Sequence, residues 1–324
     1  MKILKCLLIL AFIGLIIGGT FLYFIHKEFT KTSTLTTPVE INISKGSSLN
    51  QIAYLLEKKG IIKDARLFIL YSRINKLSSN LKAGEYRFEN QVSFSSIAQK
   101  ITLGDVIKRT ITIPEGKALS EIIDIINNEP NLKGEITIPL KEGDILPETY
   151  QFTTDTTKDD IIKNAKLAME KALNEAMQKI SPNSPIKTKE DLLILASIVE
   201  KETGLANERD VVASVFINRL KIGMRLQTDP TIIYAVTGGK MNLNRPIYKK
   251  DLAYDSPYNT YLYSGLPPTP ICSPGIDAIN AVATPKEPKF LYFVADGLTG
   301  GHRFATSLSE HNKNVSNYRR NLKK

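Results

Sequence analysis

A chain of 324 residues with 42% hydrophobic content is long enough for two domains, and no low-complexity tract marks a disordered one. Its net charge of +10 is spread along the chain, and the densest cluster, Arg319, Arg320, Lys323 and Lys324, reads as a solvated terminus or a contact for phospholipid. No helix-turn-helix, RNA-binding aromatic signature or phosphate loop is present, which excludes nucleic acid as a partner.

Cys6 to Ile25 is a run of twenty uncharged residues, flanked by Lys2 and Lys5 before it and Lys27 and Lys31 after it. That is the length needed to cross a bilayer core. The run exceeds a usual signal-peptide core, and Gly19-Thr20-Phe21 makes a poor cleavage site. An uncleaved single-span anchor over residues 1–28 is therefore expected, with the rest of the chain outside the cytoplasm and the lipid bilayer as its first partner. Cys6 lies in this run and Cys272 far from it, so no intrachain disulfide is expected. Five threonines and a serine make Phe29 to Pro38 an extended spacer.

The next segments repeat at an offset of 70 residues: Ile41-Asn-Ile43 through Gly46 and Leu49 to Ile52 aligns with Ile111-Thr-Ile113 through Gly116 and Leu119 to Ile122. Each copy predicts a strand, a glycine turn and an amphipathic helix. Each leaves by a similar exit, Gly84-Glu-Tyr86-Arg-Phe88 and Gly143 leading to Tyr150-Gln-Phe152. The first module, residues 39–106, resembles a LysM-type fold, which commonly binds N-acetylglucosamine polymers; a pure spacer has the same pattern. The fold class expected is α+β, with residues 107–324 as a mixed α+β second domain.

Lys158 to Ile180 reads as an amphipathic helix, broken by Ser181-Pro-Asn-Ser-Pro185. Thr188-Lys-Glu-Asp191 then fits a capping box opening an apolar helix that Gly204 stops. Near its end sits Glu200, on one face with Leu193, Ala196 and Ser197. A carboxylate there is paired, protonated or used, because burying it ionised is costly. The plain alternative is an ion pair with Arg209 or Arg219. A second helix is expected from about Glu208 to Ile222, capped by Asn207 and stopped by Gly223.

From Gly238 onward the chain is rich in Pro, Gly, Asn and Tyr, with one strand-like run, Phe290 to Ala295. Three polar stretches suggest a site. Gln227 and Asp229 precede Pro230 and either orient a sugar or cap a helix. Tyr258, Asn259 and Tyr261 cluster aromatic rings with an amide, as a carbohydrate groove needs. Gly300-Gly301-His302 is a tight turn presenting a histidine, more often a hydrogen-bonded structural residue than a catalytic one. His26, His302 and His311 lack the clustering of a zinc site, and no serine-hydrolase elbow is present, so carboxylates are the main chemical resource and no metal or cofactor is implied. Glu200 and Glu202, two apart on a helix, point about 200° from each other and cannot flank one glycosidic bond.

Leu195-Ala-Ser-Ile-Val-Glu200-Lys-Glu-Thr203, Glu208 to Pro230, Tyr258-Asn-Thr-Tyr261, Gly265-Leu-Pro-Pro268, Tyr292-Phe-Val-Ala-Asp296-Gly and Gly300-Gly-His302-Arg-Phe304 together resemble the endolytic murein transglycosylases of the YceG-like family. Leu146-Pro-Glu148 carries Glu where the pattern has Asp. The resemblance implies a single-span anchor in the cytoplasmic membrane, a LysM-like module outside it, and a domain that cleaves nascent peptidoglycan glycan strands without water, leaving 1,6-anhydro ends and limiting strand elongation. It places the catalytic acid, later base, at Glu200, and substrate contacts at Ser197, Glu202, Asn218, Gln227, Asp229, Tyr258, Asn259 and Tyr261. Peptidoglycan synthases are the partners it implies. Two other readings stay open: a muramidase-type hydrolase with Asp229 or another carboxylate activating water, and a non-catalytic peptidoglycan-binding scaffold.

Overall fold

The structure is a computed structural model that describes residues 2–240, 242–286 and 289–322, without the side chains of residues 2–11, 21, 22 and 25. The chain falls into two compact units, Met1–Arg109 with Phe152–Asp155, and Thr110–Gln151 with Thr156–Lys324.

The first unit opens with α1 (Lys2–Thr30). Among the described residues no helix is long and apolar enough to cross a membrane. The span expected from Cys6 to Ile25 falls in good part on side chains outside the described set. After β1 (Ser33–Thr34) come β2 (Val39–Ile43), α2 (Leu49–Lys58), α3 (Ala65–Ile74), β3 (Gly84–Phe88), β4 (Gln91–Val92) and α4 (Phe94–Leu103). β2 and β3 pair antiparallel, Ile41 opposite Tyr86, so two helices lie between the paired strands in sequence. The alternation of β2 sends Ile41 and Ile43 inward, where they meet Ile52, Leu56, Phe68, Tyr86 and Ile97 in one core. Ser48 and Asp64 start the two helices by accepting backbone N–H bonds, the Ser48 cap closing a reciprocal box with Gln51.

The second unit begins with the repeat. β5 (Arg109–Thr112) pairs with β6 (Thr149–Phe152), and α5 (Leu119–Asn127) lies between them in sequence. Both copies turn through a glycine at positive φ, Gly46 at 81° and Gly116 at 71°, where a side chain is strained. Both exits are pinned alike: the Tyr86 hydroxyl donates to the Lys82 carbonyl (2.8 Å) and the Tyr150 hydroxyl to the Leu146 carbonyl (2.6 Å). The copies differ in the middle, because residues 129–148 of the second form no helix where the first has α3.

Then follow α6 (Lys158–Met177), α7 (Lys189–Glu202), α8 (Arg209–Lys221), α9 (Asp229–Thr237), α10 (Ile276–Ala283), the hairpin β7 (Tyr292–Ala295) and β8 (His302–Ala305), and α11 (Leu308–Asn321). α7 is the axle. Its residues from Ile194 to Val199 are all buried, on every side, and α6, α8, α9 and α10 pack around it. A helix apolar all round must be enclosed in this way. Each of its fully buried leucine and isoleucine side chains stabilises the unit by roughly 1.5–3 kcal/mol. The capping box at Thr188 and Asp191 forms as its sequence requires. α8 is likewise enclosed, from Val212 to Ile217, but its cap position is Glu208 and not Asn207. Both end turns of α7 leave this wrapping, and the last one carries two glutamates.

Candidate active site

Glu200 and Glu202 leave α7 on opposite sides, and each side meets different company. The Glu200 side is covered by the chain segment before α10. Ile271 donates its N–H to the Ser197 hydroxyl (3.0 Å), the Cys272 thiol reaches the Ser197 carbonyl (3.3 Å), and Gly275 donates its N–H to Glu200 Oε2 (3.0 Å). The space left by the small residues Ala196 and Ser197 is filled by this segment. A turn of the second repeat closes the same side: Gly116 bonds the Ser273 carbonyl (3.0 Å), and the Lys201 ammonium bonds the Gly116 carbonyl (3.2 Å). Glu115 lies against Gly275 so closely that a Cβ there would stand 1.8 Å from its Oε1. Burial pushes the Glu200 carboxyl above its usual range, and the charge of Glu115 adds to that, against the Gly275 N–H, Arg209 and Lys201. Among the described residues no arginine is hydrogen-bonded or ion-paired to Glu200. Arg209 pairs with Asp277 (3.1 Å), and Arg219 binds the Leu291 and Leu226 carbonyls.

The Glu202 side faces the bend between α8 and α9. Glu202 Oε1 accepts a hydrogen bond from the Thr228 hydroxyl. Thr228, Thr231 and Thr260 are buried and linked, with the Thr228 N–H on Thr260 Oγ1 (3.1 Å) and the Thr231 and Thr260 hydroxyls 2.9 Å apart. This knot forces Gln227 to a φ of 50°, a left-handed conformation that costs on the order of 1 kcal/mol in a residue other than glycine. Gln227 and Asp229 stand exposed on either side of Thr228, and the Tyr261 hydroxyl donates to Asp229 Oδ1 (2.6 Å). Burial raises the Glu202 pKa, the Thr228 bond opposes it, and the Asp229 charge raises it further. The negative end of the α7 dipole works in the same direction on both glutamates.

His302 belongs to this side too. Its Nδ1 lies 2.7 Å from Glu208 Oε2 and its N–H donates to Glu208 Oε1 (3.0 Å), while Phe293 packs edge-on against the ring. The histidine turn and the first residue before α8 are thereby joined across the fold.

Of the residues expected to touch substrate, the structure gathers Glu202, Gln227, Asp229 and Tyr261. Three others lie elsewhere, with their polar groups turned to the fold or to another cleft. Ser197 is fully buried and its hydroxyl is spent on Ile194 and Ile271. Asn259 is fully buried, and its amide binds the Leu252 and Tyr254 carbonyls and the Tyr261 N–H. Asn218 donates to the Phe290 carbonyl and lines a separate cleft of about 520 Å³ with Lys179, Lys221 and Lys286. Tyr258 packs on Tyr234 (4.9 Å) and bonds Thr269 (2.7 Å), apart from the four. Thr228 carries no site signal of its own in the sequence, although it stands between Gln227 and Asp229. Ser197→Ala should lower stability by about 2 kcal/mol, because the Ile271 N–H is left buried and unpaired. A denaturant titration gives the loss, and unchanged stability would refute the bond.

A half-buried carboxyl at a helix end, beside hydroxyl and amide groups and an acidic rim, is an arrangement suited to proton transfer on a polar substrate. The chain belongs to the YceG-like family, whose pattern matches residues 41–317. It is 36% identical to a Bacillus subtilis protein named endolytic murein transglycosylase, over 94% of this chain and 91% of that one. It is 30% identical to a Streptococcus pneumoniae protein of the same name, over 86% of this chain and 58% of that one. A crystal structure of a yceG-like protein from Listeria monocytogenes aligns with a TM-score of 0.53 at 32% identity, covering 87% of this chain and 99% of the other.

Proposed function

We propose that the protein is a lytic transglycosylase that cuts peptidoglycan glycan strands between N-acetylmuramic acid and N-acetylglucosamine, with the carboxyl at the end of α7 as its acid and base. Family membership and the names of the relatives support the substrate class. The observation that carries the reading is Glu202, desolvated beside Thr228 with Gln227, Asp229 and Tyr261 around it. Its Oε2 has no hydrogen-bond partner among the described residues, so that oxygen is not committed to the fold.

The protonated carboxyl gives its proton to the glycosidic oxygen as the bond from C1 breaks. The carboxylate then takes the proton of the muramyl C6 hydroxyl as O6 bonds to C1. A 1,6-anhydro end forms, no water is consumed, and the acid is regenerated. One carboxyl is enough because the nucleophile belongs to the substrate. Asp229, fixed by Tyr261, lies near enough to influence Glu202 and offers a negative charge to the oxocarbenium-like transition state.

A second reading keeps Glu200 as the acid, as the sequence suggests. It is favoured by burial, which raises the Glu200 pKa, and by the charge of Glu115, which adds to that rise. Mass spectrometry of glycan digests in ¹⁸O-water tests the reaction class. Anhydro ends without label are expected. Labelled reducing ends would make the protein a muramidase, and intact strands would leave it a binding scaffold.

The single-span anchor belongs to the same proposal. α1 is 29 residues, roughly 43 Å at 1.5 Å per residue, and its described Phe12, Leu15 and Ile17 are exposed. The strand–helix–helix–strand order of residues 39–88 supports the LysM-like reading of the first module. Tethered outside the cytoplasmic membrane, the enzyme would meet strands where peptidoglycan synthases extend them.

A further inference from the structure

In the long connection between α9 and α10 the chain holds three tyrosine rings to solvent. Tyr248 is 50% exposed, and Tyr254 and Tyr263 are each 48% exposed. Single exposed aromatics are ordinary on a protein surface. These are held in place from below. Asn259 sits at the centre of the loop, fully buried, and its amide accepts the Tyr261 N–H while donating to the Leu252 and Tyr254 carbonyls. Its own carbonyl accepts the N–H groups of Leu262 and Tyr263 (3.1 and 2.9 Å). One buried residue therefore fixes the backbone at both Tyr254, through its side chain, and Tyr263, through its main chain.

Two of the rings have their own locks. The Tyr263 hydroxyl donates to Asp255 Oδ1 (2.7 Å). The Arg245 guanidinium lies over the Tyr248 ring, 5.0 Å from its centre, and is itself held by two bonds to buried Asp251 (2.6 and 2.9 Å). Asp251 also takes the Tyr248 N–H (2.8 Å). A turn of 3₁₀-helix, Asp251–Ala253, spaces Tyr248 from Tyr254. The loop's polar interior goes to holding the backbone of these residues and one guanidinium.

We infer that this loop is an outer saccharide subsite, on which Tyr254 and Tyr263, with Tyr248 beyond them, hold β-1,4-linked aminosugar units of the strand being cut. The occupant follows from continuity. Tyr261, two residues from Tyr263, bonds Asp229 beside Glu202, so the loop that carries the rings is joined directly to that site. A sugar ring has an apolar C–H face and a polar edge, and a fixed tyrosine offers both complements at little entropic cost. The absence of tryptophan from the chain leaves tyrosine as the largest ring available for that task. The inference rests on the glycan-strand reading of the site and extends it to residues outside the acid's surroundings.

The test uses the full chain carrying Glu202→Gln, which removes turnover, and purified glycan strands freed of peptides. Adding Tyr254→Ala with Tyr263→Ala should weaken strand binding roughly tenfold, a loss in line with two stacked rings. Tyr254→Phe with Tyr263→Phe keeps the rings and should stay within about twofold of the parent. Equal thermal midpoints for the two pairs show that the alanine pair is folded. Alanine-pair binding equal to the parent overturns the subsite. The two readings fail separately. Should the wild type bind strands without cleaving them, the alanine-pair loss still upholds the subsite and only the catalytic reading falls. Should the wild type cleave while the alanine pair binds as the parent does, cleavage stands and the subsite falls.

Discussion

Glu202→Gln should lower glycan cleavage by about a thousandfold, within the span of a lost general acid, while Glu200→Gln should stay within roughly tenfold of the wild type. Both substitutions keep volume and hydrogen-bonding capacity, so neither should unfold the chain. The distinction comes from what each carboxyl touches. Glu200 takes the Gly275 N–H and is packed under the segment that also covers Ser197. Glu202 takes a hydroxyl, and exposed polar groups surround it. The pH profile gives a second reading of the same event. The acid must be protonated, and burial raises its pKa, so cleavage should persist above the ordinary carboxyl range and fall as pH rises through the raised value. Release of anhydro-ended fragments, quantified by chromatography and mass spectrometry, checks both. The reverse ranking of the two variants would move the acid to Glu200 and leave Glu202 as a buried support.

How far the site could be read in advance depended on how local its causes are. The box at Thr188 and Asp191, the enclosed run of α7 and the repeated glycine turns are written in adjacent residues, and each forms as the pattern requires. A 100° step per residue also places Leu193, Ala196, Ser197 and Glu200 on one face. It cannot say what covers that face, because the cover arrives from Ile271 to Gly275, more than seventy residues on. The same limit hid the Glu208–His302 bond, whose partners are 94 residues apart. Asn259 was selected for its company of tyrosines, yet it holds the loop from within. Thr228 gave no signal as a β-branched residue before a helix, but the polar residues on both sides of it mark a bend that must be pinned by something. The second repeat lost its middle helix where Glu129, Pro130 and Gly134 interrupt any apolar period, a feature legible in residues that the repeat alignment passed over.

Glu142 is the clearest case of a group with no local signal and a large expected effect. It leaves the repeat's exit half-buried, accepts the Leu119 N–H at the start of α5 (2.8 Å), and receives the Tyr234 hydroxyl from α9 (3.3 Å). Burial pushes its pKa up to about 7, with Glu121 adding to the rise and these hydrogen bonds, with one from the Gly143 N–H, opposing it. In the unfolded chain the carboxyl ionises near 4.5, so below that pH both states hold the proton and the folded state keeps its full stability. As pH rises to 7 the unfolded chain releases the proton while the fold retains it, and stability is lost across that window. The shift corresponds to about 3 kcal/mol, reduced to roughly 2 by solvent near a half-buried group. Glu142→Gln removes the titration and can still accept from Leu119. Its melting temperature should match the wild type near pH 4.5 and exceed it by about 4–8 °C at pH 8. Asp251 and Asp296, held near 2 by Arg245 and by the Thr299 turn, lose their contribution only at pH values below this window. Parallel melting curves for the two proteins from pH 4.5 to pH 8 would show that Glu142 is ionised throughout. The contact between the repeat and α9 would then carry a buried charge instead of a proton.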